Sequence, residues 1–271
     1  MTLRLPFSAR LIPALLAAAG GAAAASELDC EVASGPATAA LVELYTSEGC
    51  SSCPPADRQL RDLRQQLPAD ARVVPVGLHV TYWDAIGWRD PFAQARFDER
   101  QRALLAQGRW KVAYTPQFFV DGRELRDWRA GLVQTIQRVN ARPALAAIDL
   151  HVSAPTRAGL PHLRLEVSAR VAAPRGGEAL FVALTESGLA SRVARGENAG
   201  VTLRHDDTAR LWLGPIALHS ATARLTHELA LPAQWRPDRL RALAFVQDAD
   251  ARILQALDTS SCAGAQAGRR Q

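Results

Sequence analysis

Two cysteines separated by two serines, Cys50-Ser51-Ser52-Cys53, follow an apolar run, Leu41-Val42-Glu43-Leu44-Tyr45-Thr46, that reads as a strand. This spacing serves three chemistries: a dithiol–disulfide couple, a structural bridge, or half of a soft metal site. Exchange chemistry needs a thiolate that is reachable and stabilised, and a strand-to-helix turn offers both, because free N–H groups at a helix start favour negative sulfur. Leu60, Leu63 and Leu67 recur at helical spacing after the turn, while Pro54 and Pro55 set the helix opening after the second cysteine. Glu48 opposes a thiolate and the helix start supports one, so the direction of electron flow stays open.

Other residues have chemistry-bearing positions. His79 ends a second strand, Val73-Val74-Pro75-Val76-Gly77-Leu78-His79-Val80. If the two strands are parallel, it lies at the same sheet edge as the cysteine turn. There it serves a thiolate electrostatically, or joins Cys50 and Cys53 as a copper(I) ligand, or packs and hydrogen-bonds locally. Glu43 alternates with Val42 and Leu44, so its carboxylate is either buried beneath the cysteines or engaged in a salt bridge. Trp83, Trp88 and Phe92 either wall a groove for a polypeptide or seal their own loop against the core. Gly196-Glu197-Asn198-Ala199-Gly200 has the composition of a turn with unusual dihedrals. Of the four cysteines, Cys30 and Cys262 are left for a second, structural disulfide once Cys50 pairs with Cys53; two unpaired thiols are the alternative.

The elements that must carry these residues follow from periodicity. Helices are expected over about 56–67, 93–107 and 128–140. Tyr114-Thr115-Pro116-Gln117-Phe118-Phe119-Val120-Asp121-Gly122-Arg123 has an Asp-Gly pair between extended residues, the mark of a hairpin. From about Leu145 onward, short alternating or apolar runs separated by Pro and Gly predict a mainly β, sandwich-like region. The resulting organisation is a segment 38–142, a boundary at Arg142-Pro143, and a second segment 143–262.

Strand, helix, strand, helix, hairpin, helix, with cysteines at the first strand-to-helix turn and a proline opening the third strand, resembles the thioredoxin fold. The expected fold class is therefore an α/β thioredoxin-like N-terminal domain followed by a mainly β C-terminal domain. The resemblance implies that Cys50 is the nucleophile and Cys53 the resolving cysteine. It also implies that Pro116 is cis and faces the disulfide, that Thr115 lends its backbone to a substrate, and that Glu43 handles the resolving cysteine's proton. Leu41 to Asp57, His79 to Phe92, Tyr114 to Gly122 and Gly196 to Gly200 together look like domain-of-unknown-function family 1223, secreted proteins for which no general biochemical role is established. Members of that family usually read His-Val-Asp-Tyr-Trp-Asp, whereas Thr81 replaces the first acid here and Asp84 remains.

Composition bounds the setting. Arg4 and Arg10 precede an apolar stretch from Leu11 to Ala19 and a small-residue run to Ala25, the layout of a cleaved signal peptide over residues 1–25. The apolar stretch is shorter than the roughly 20 residues that span a bilayer. The expectation is a periplasmic or secreted protein acting on the thiols or disulfides of exported proteins with a redox partner. Lys111 is the only lysine, and the arginines are interleaved with acids rather than gathered, which argues against a nucleic-acid surface. The expected activity is that of a thiol-disulfide oxidoreductase needing no cofactor. Copper delivery through Cys50, Cys53 and His79, or a scaffold with a purely structural bridge, are the alternatives.

Overall fold

The computed structural model describes residues 29–108, 111–157 and 160–262. The expected signal segment, residues 1–25, lies outside the described residues. The first half contains β1 (Asp29–Ala33), β2 (Ala40–Thr46), α1 (Pro54–Arg61), α2 (Leu63–Gln66), β3 (Val73–His79), a 3-10 turn at Asp84–Ile86, α3 (Ala95–Gln107), β4 (Gln117–Val120), β5 (Arg123–Glu124) and α4 (Trp128–Asn140). The second half is strand after strand: β6 (Ala146–Ser153), β7 (Thr156–Arg157), β8 (Leu160–Val171), β9 (Ala179–Glu186), β10 (Leu189–Arg192) and β11 (Thr202–His205). It continues through β12 (Thr208–Ala217), β13 (Thr222–Ala230), β14 (Leu240–Gln247) and β15 (Ile253–Asp258), with a 3-10 turn at Pro237–Arg239 before β14.

Every residue of β2, β3 and β9 is buried, a pattern that requires cover on both faces. These strands lie inside an eight-stranded sheet of order β15-β14-β9-β12-β3-β2-β4-β5. One face takes Leu41, Tyr45, Leu78, Phe181 and Phe245 against Phe97, Leu104 and Leu105 of α3. The other face is covered by two different layers. Over the β2 end lie Leu60 of α1 and Leu132 and Ile136 of α4, against Val42, Leu44 and Phe118. Over the β9 end lies a second sheet, β1-β6-β8-β13 with β7 paired to β8, whose Ile148, Leu150, Leu165 and Val167 meet Leu180, Val182 and Ala244. Accordingly β6 alternates strictly between buried and outward residues, one face inward and one in water.

The expected α/β thioredoxin-like domain followed by a separate sandwich is corrected by this architecture. The described residues are 42% strand and 21% helix, a mainly β protein with several sheets and few helices. The strands before residue 142 do not make their own sheet. The edge of β3 is taken up by β12, which runs parallel to it at Thr208 and Gly77, and Gly77 N–H also donates to Asp207 O at 2.8 Å. The physical reason is edge protection: an apolar parallel strand left open is a hazard, and here a strand from far down the chain closes it. Local periodicity marks β3 as buried without revealing that β12, itself only partly buried, is its neighbour. The local elements themselves match well, with α3 and α4 close to their expected spans and β4–β5 turning at Asp121 and Gly122, both at positive φ. The expected single helix over 56–67 breaks at Asp62 into α1 and α2.

A charged residue joins these layers. Arg100 of α3 points into the sheet, with Nε donating to Glu43 Oε1 at 3.0 Å, Nη2 to Glu43 Oε2 at 3.3 Å, and Nη1 to Gln247 on β14. Its guanidinium carbon stands 5.0 Å from the Phe181 ring centre and 5.4 Å from that of Phe245. The Tyr45 hydroxyl adds a donor to Glu43 Oε1 at 3.3 Å, and burial together with that carboxylate holds its pKa well above the usual tyrosine value.

Arg100→Ala strands the Glu43 carboxylate in the core and lowers stability by about 3–5 kcal/mol, measured by urea unfolding; a loss below about 1 kcal/mol would contradict this account of the pair. Asp207, beside Arg241 at 3.3 Å, is driven by burial to a pKa of about 6, with Arg241 and Arg64 opposing the rise. Its folded pKa exceeds its unfolded value, so the folded state favours the protonated acid, and that stability is lost as pH rises from about 4 through about 6. Asp207→Asn therefore raises the melting temperature at pH 7.5, by up to about 3 kcal/mol of stability, and leaves it little changed at pH 4.

Candidate active site

β2 delivers the chain to the cysteine turn, and α1 leaves it. Cys50 N–H donates to Ser47 O at 3.1 Å, and Cys53 N–H donates to Cys50 O at 3.2 Å, forming two successive tight turns. Cys53 is the N-cap of α1, its carbonyl accepting from the N–H groups of Ala56 at 2.8 Å and Asp57 at 3.1 Å. The helix start therefore acts on Cys53, and Cys50 stands a turn before it. The two cysteines are joined in a disulfide with Cα atoms 5.4 Å apart, and the Ser52 hydroxyl lies 3.3 Å from Cys50 Sγ. Both cysteines are 0% exposed, whereas Ser51 and Ser52 between them are in solvent.

The Thr115–Pro116 peptide bond is cis, as the resemblance implies. Gln117, the next residue, pairs with Tyr45, which sets the proline beside the end of β2 where the cysteine turn begins. The Thr115 hydroxyl is buried with no hydrogen-bond partner. Glu43 is not part of this site. It is spent on Arg100, on the α3 face of the sheet, whereas α1 packs on the opposite face. The salt-bridged reading of Glu43 is the one the structure takes, because a carboxylate inside a strand buried on both faces needs a charged partner of its own.

His79 belongs to a buried polar cluster under the turn. Its Nδ1 donates to Asp90 Oδ2 at 2.7 Å, and the same oxygen accepts from Glu48 N–H at 2.8 Å. Its ring meets those of Phe92 and His205 edge to face, at 5.3 and 4.8 Å between centres. Burial disfavours the imidazolium, but the Asp90 carboxylate, with Asp57 and Glu48 behind it, outweighs that and raises the His79 pKa. Asp90 shows the reciprocal effect: burial pulls its pKa up, and His79 with the Glu48 and Phe92 N–H groups brings it below the usual range. Asp57, in the first turn of α1, accepts from the Thr46 hydroxyl at 2.8 Å; burial raises its pKa against the pull of His205 and His79. Of the three copper(I) donors considered from sequence, the two sulfurs are joined to each other and His79 holds Asp90 through Nδ1. Among the described residues, no three His, Cys, Asp or Glu side chains are grouped to hold a metal ion.

Glu48 is the hub of the site. Its carboxylate accepts from Trp88 Nε1 at 2.8 Å, from His205 Nε2 at 3.0 Å and from the Ser191 hydroxyl. The turn Gly196 to Gly200 joins it from the tip of the β10–β11 hairpin. Asn198 Nδ2 donates to Glu48 O at 2.9 Å and to Cys50 O at 3.0 Å, and Glu197 Oε2 accepts from Ser51 N–H at 2.9 Å and the Ser51 hydroxyl at 2.7 Å. Those Ser51 donors hold the Glu197 carboxyl below its ordinary pKa. Sequence periodicity gives no hint that His205, Ser191, Asn198 and Asp90 converge. The turn composition at 196–200 was visible, but not its destination. The aromatics seal the loop: Phe92 is packed on both histidines, Trp88 serves Glu48, and Trp83 lies against Gly49, where an added Cβ would sit 3.2 Å from its own.

Cys30 of β1 and Cys262, after β15, form the second disulfide, with Cα atoms 5.9 Å apart across 232 residues of sequence. It lies among Val152, Leu163, Leu184 and Ala242, away from the turn.

The chain belongs to the protein family of unknown function DUF1223, whose model matches residues 41–247. Two solved structures are similar in fold. Protein AGR_C_4864 from Agrobacterium tumefaciens is 22% identical, with a TM-score of 0.54 over 83% of this chain and 96% of that one. HBP35 of Porphyromonas gingivalis is 16% identical, with a TM-score of 0.64 over 83% of this chain and 76% of that one. No curated protein matches the chain in sequence.

Glu48→Ala leaves three donors without an acceptor. It should lower stability by about 2–4 kcal/mol in urea titration, and a neutral effect would show that the cluster is not the hub described.

Proposed function

We propose that this DUF1223 protein is an exported thiol-disulfide oxidoreductase whose reactive pair is Cys50 and Cys53. The observation that carries the reading is the disulfide across two serines at the junction of β2 and α1. A bridge of sequence separation 3 removes little chain entropy, about 2 kcal/mol, whereas one of separation 232 is worth more than twice that. Stability therefore gives a good account of Cys30–Cys262 and a poor one of Cys50–Cys53. The four cysteines, all paired, fit the oxidising compartment beyond the inner membrane to which the signal-like segment 1–25 points. No helix of the described residues is long and apolar enough to cross a membrane.

In the reduced protein, the Cys50 thiolate attacks one sulfur of a partner disulfide. The partner's S–S bond breaks, its second sulfur leaves as a thiolate and takes a proton, and Cys50 holds a mixed disulfide. Cys53, deprotonated at the start of α1, then attacks Cys50 Sγ and releases the partner's first sulfur as a thiolate. Two electrons have passed to the partner and the Cys50–Cys53 disulfide is restored. Run backwards, the same steps oxidise a partner dithiol. Asp57, whose N–H donates to the Cys53 carbonyl at 3.1 Å and whose carboxyl pKa is raised by burial, takes the Cys53 proton; Glu43, for which that role was weighed against a salt bridge, is paired with Arg100. The Thr115–Pro116 segment beside the turn supplies the substrate-facing backbone.

Replacing Cys53 with alanine stops the second step. Cells exporting Cys53→Ala should accumulate mixed disulfides on Cys50 that a reductant dissolves and that Cys50→Ala,Cys53→Ala lacks. A clean absence of such adducts, with the protein exported and folded, would leave Cys50–Cys53 a structural bridge.

A further inference from the structure

A disulfide that exchanges must be reached, yet Cys50 and Cys53 are both 0% exposed. Two segments pack against the cysteine turn, the first through Trp83 against Gly49. One is the aromatic loop, held from within by Asp90, which accepts from His79, Glu48 and Phe92. The other is the β10–β11 hairpin, which belongs to neither large sheet and forms a two-stranded arm of its own. The tip of this arm closes on itself through Val193 N–H to Val201 O at 2.9 Å and Gly200 N–H to Val193 O at 2.8 Å. Gly196 and Gly200, at φ of 78° and 83°, give the tip a bend that other residues rarely adopt.

What the tip touches is the reactive turn itself. Glu197 takes both donors of Ser51, and Asn198 donates to the carbonyls of Glu48 and Cys50. Glu197 itself is solvent-exposed, so its bonds to Ser51 compete with water. The base of the arm is held far more firmly, by Ser191 and His205 on the buried Glu48 carboxylate. The tip is held by one buried side chain, Asn198, and one that competes with water, Glu197, whereas the base is fixed on a buried carboxylate, the construction of a part that opens at one end.

On the reading that Cys50–Cys53 exchanges, we propose that the tip of the β10–β11 arm is a latch over this disulfide. Glu197 and Asn198 hold it shut on the backbone of Ser51, Cys50 and Glu48, and it must release before a thiol reaches Cys50. The partner's thiolate attacks Cys50 Sγ with Cys53 as the leaving thiolate, so the latch acts on access and leaves the chemistry of the step unchanged.

The test uses the oxidised, full exported chain and dithiothreitol as the attacking dithiol, with each disulfide followed by alkylation and peptide mass. Glu197→Ala and Asn198→Ala each remove bonds of the tip, because alanine leaves Ser51 without its acceptor in one case and the Glu48 and Cys50 carbonyls without their donor in the other. Each should speed reduction of Cys50–Cys53 by about tenfold while the rate for Cys30–Cys262, which joins β1 to the segment after β15, stays as in the wild type. Equal Cys50–Cys53 rates in the wild type and in variants that keep their melting temperature would overturn the latch. Because Glu197 is exposed, its variant carries the test even if Asn198→Ala fails to fold. Accelerated reduction without trapped partners on Cys53→Ala would keep the latch and defeat the redox reading. Trapped partners with unaltered rates would defeat the latch alone.

Discussion

The structure depends on a charge placed where charges are costly. Glu43 sits in the middle of a strand covered on both faces, and an unpaired carboxylate there would be too expensive to keep. Arg100 resolves the cost by reaching in from α3, and it does so with partners drawn from both halves of the chain: Glu43 on β2, Gln247 on β14, and the rings of Phe181 and Phe245. The pair fixes the register of α3 over the sheet. It also gives the strands from the C-terminal half a reason to lie in the same sheet as β2 and β3, since the guanidinium is satisfied only when both sets are present.

The same device recurs, smaller, at the cysteine turn. Glu48 is buried and made tolerable by donors from three segments distant in sequence, Trp88, Ser191 and His205. Asp90 plays the complementary part, taking His79 and the Glu48 N–H on one oxygen. Buried acids thus act as the joints of this protein, each gathering loops that would otherwise have little to hold them. The cysteine turn is in this sense an assembled site, built from residues 46 to 205 rather than from its own short segment.

Much of the local structure was legible from the chain. The apolar runs at 41–46 and 73–80, the helical spacing over 93–107 and 128–140, the Asp121-Gly122 turn and the opening of α1 after Cys53 all follow from side-chain period and turn chemistry, which are local properties. The architecture was not. Whether β3 ends a sheet or continues into β12 depends on a pairing between Gly77 and Thr208, and a burial pattern is identical in the two cases. The site was legible in its sulfurs and opaque in its surroundings for the same reason. Glu43 and Asp57 are both acids near the cysteines in sequence, and only the face each occupies, one toward α3 and the other in α1, separates a core ion pair from a neighbour of the cysteine turn. His205 and Asn198 carry no periodic signal at all, because their partners are a carboxylate and two carbonyls about 150 residues earlier.

The bridge from Cys30 to Cys262 brings the two ends of the described chain within 5.9 Å of each other. In covalent terms the described residues are almost a closed ring, with β1 in one sheet and β15 at the edge of the other on either side of the seam. A protease that cuts one exposed turn therefore releases nothing, since both pieces stay attached through the bridge. The place where the polypeptide begins is also close to arbitrary. A circular permutant that joins the ends near the bridge and opens at the exposed turn around Ser220 would present the same strands in the same order around the ring.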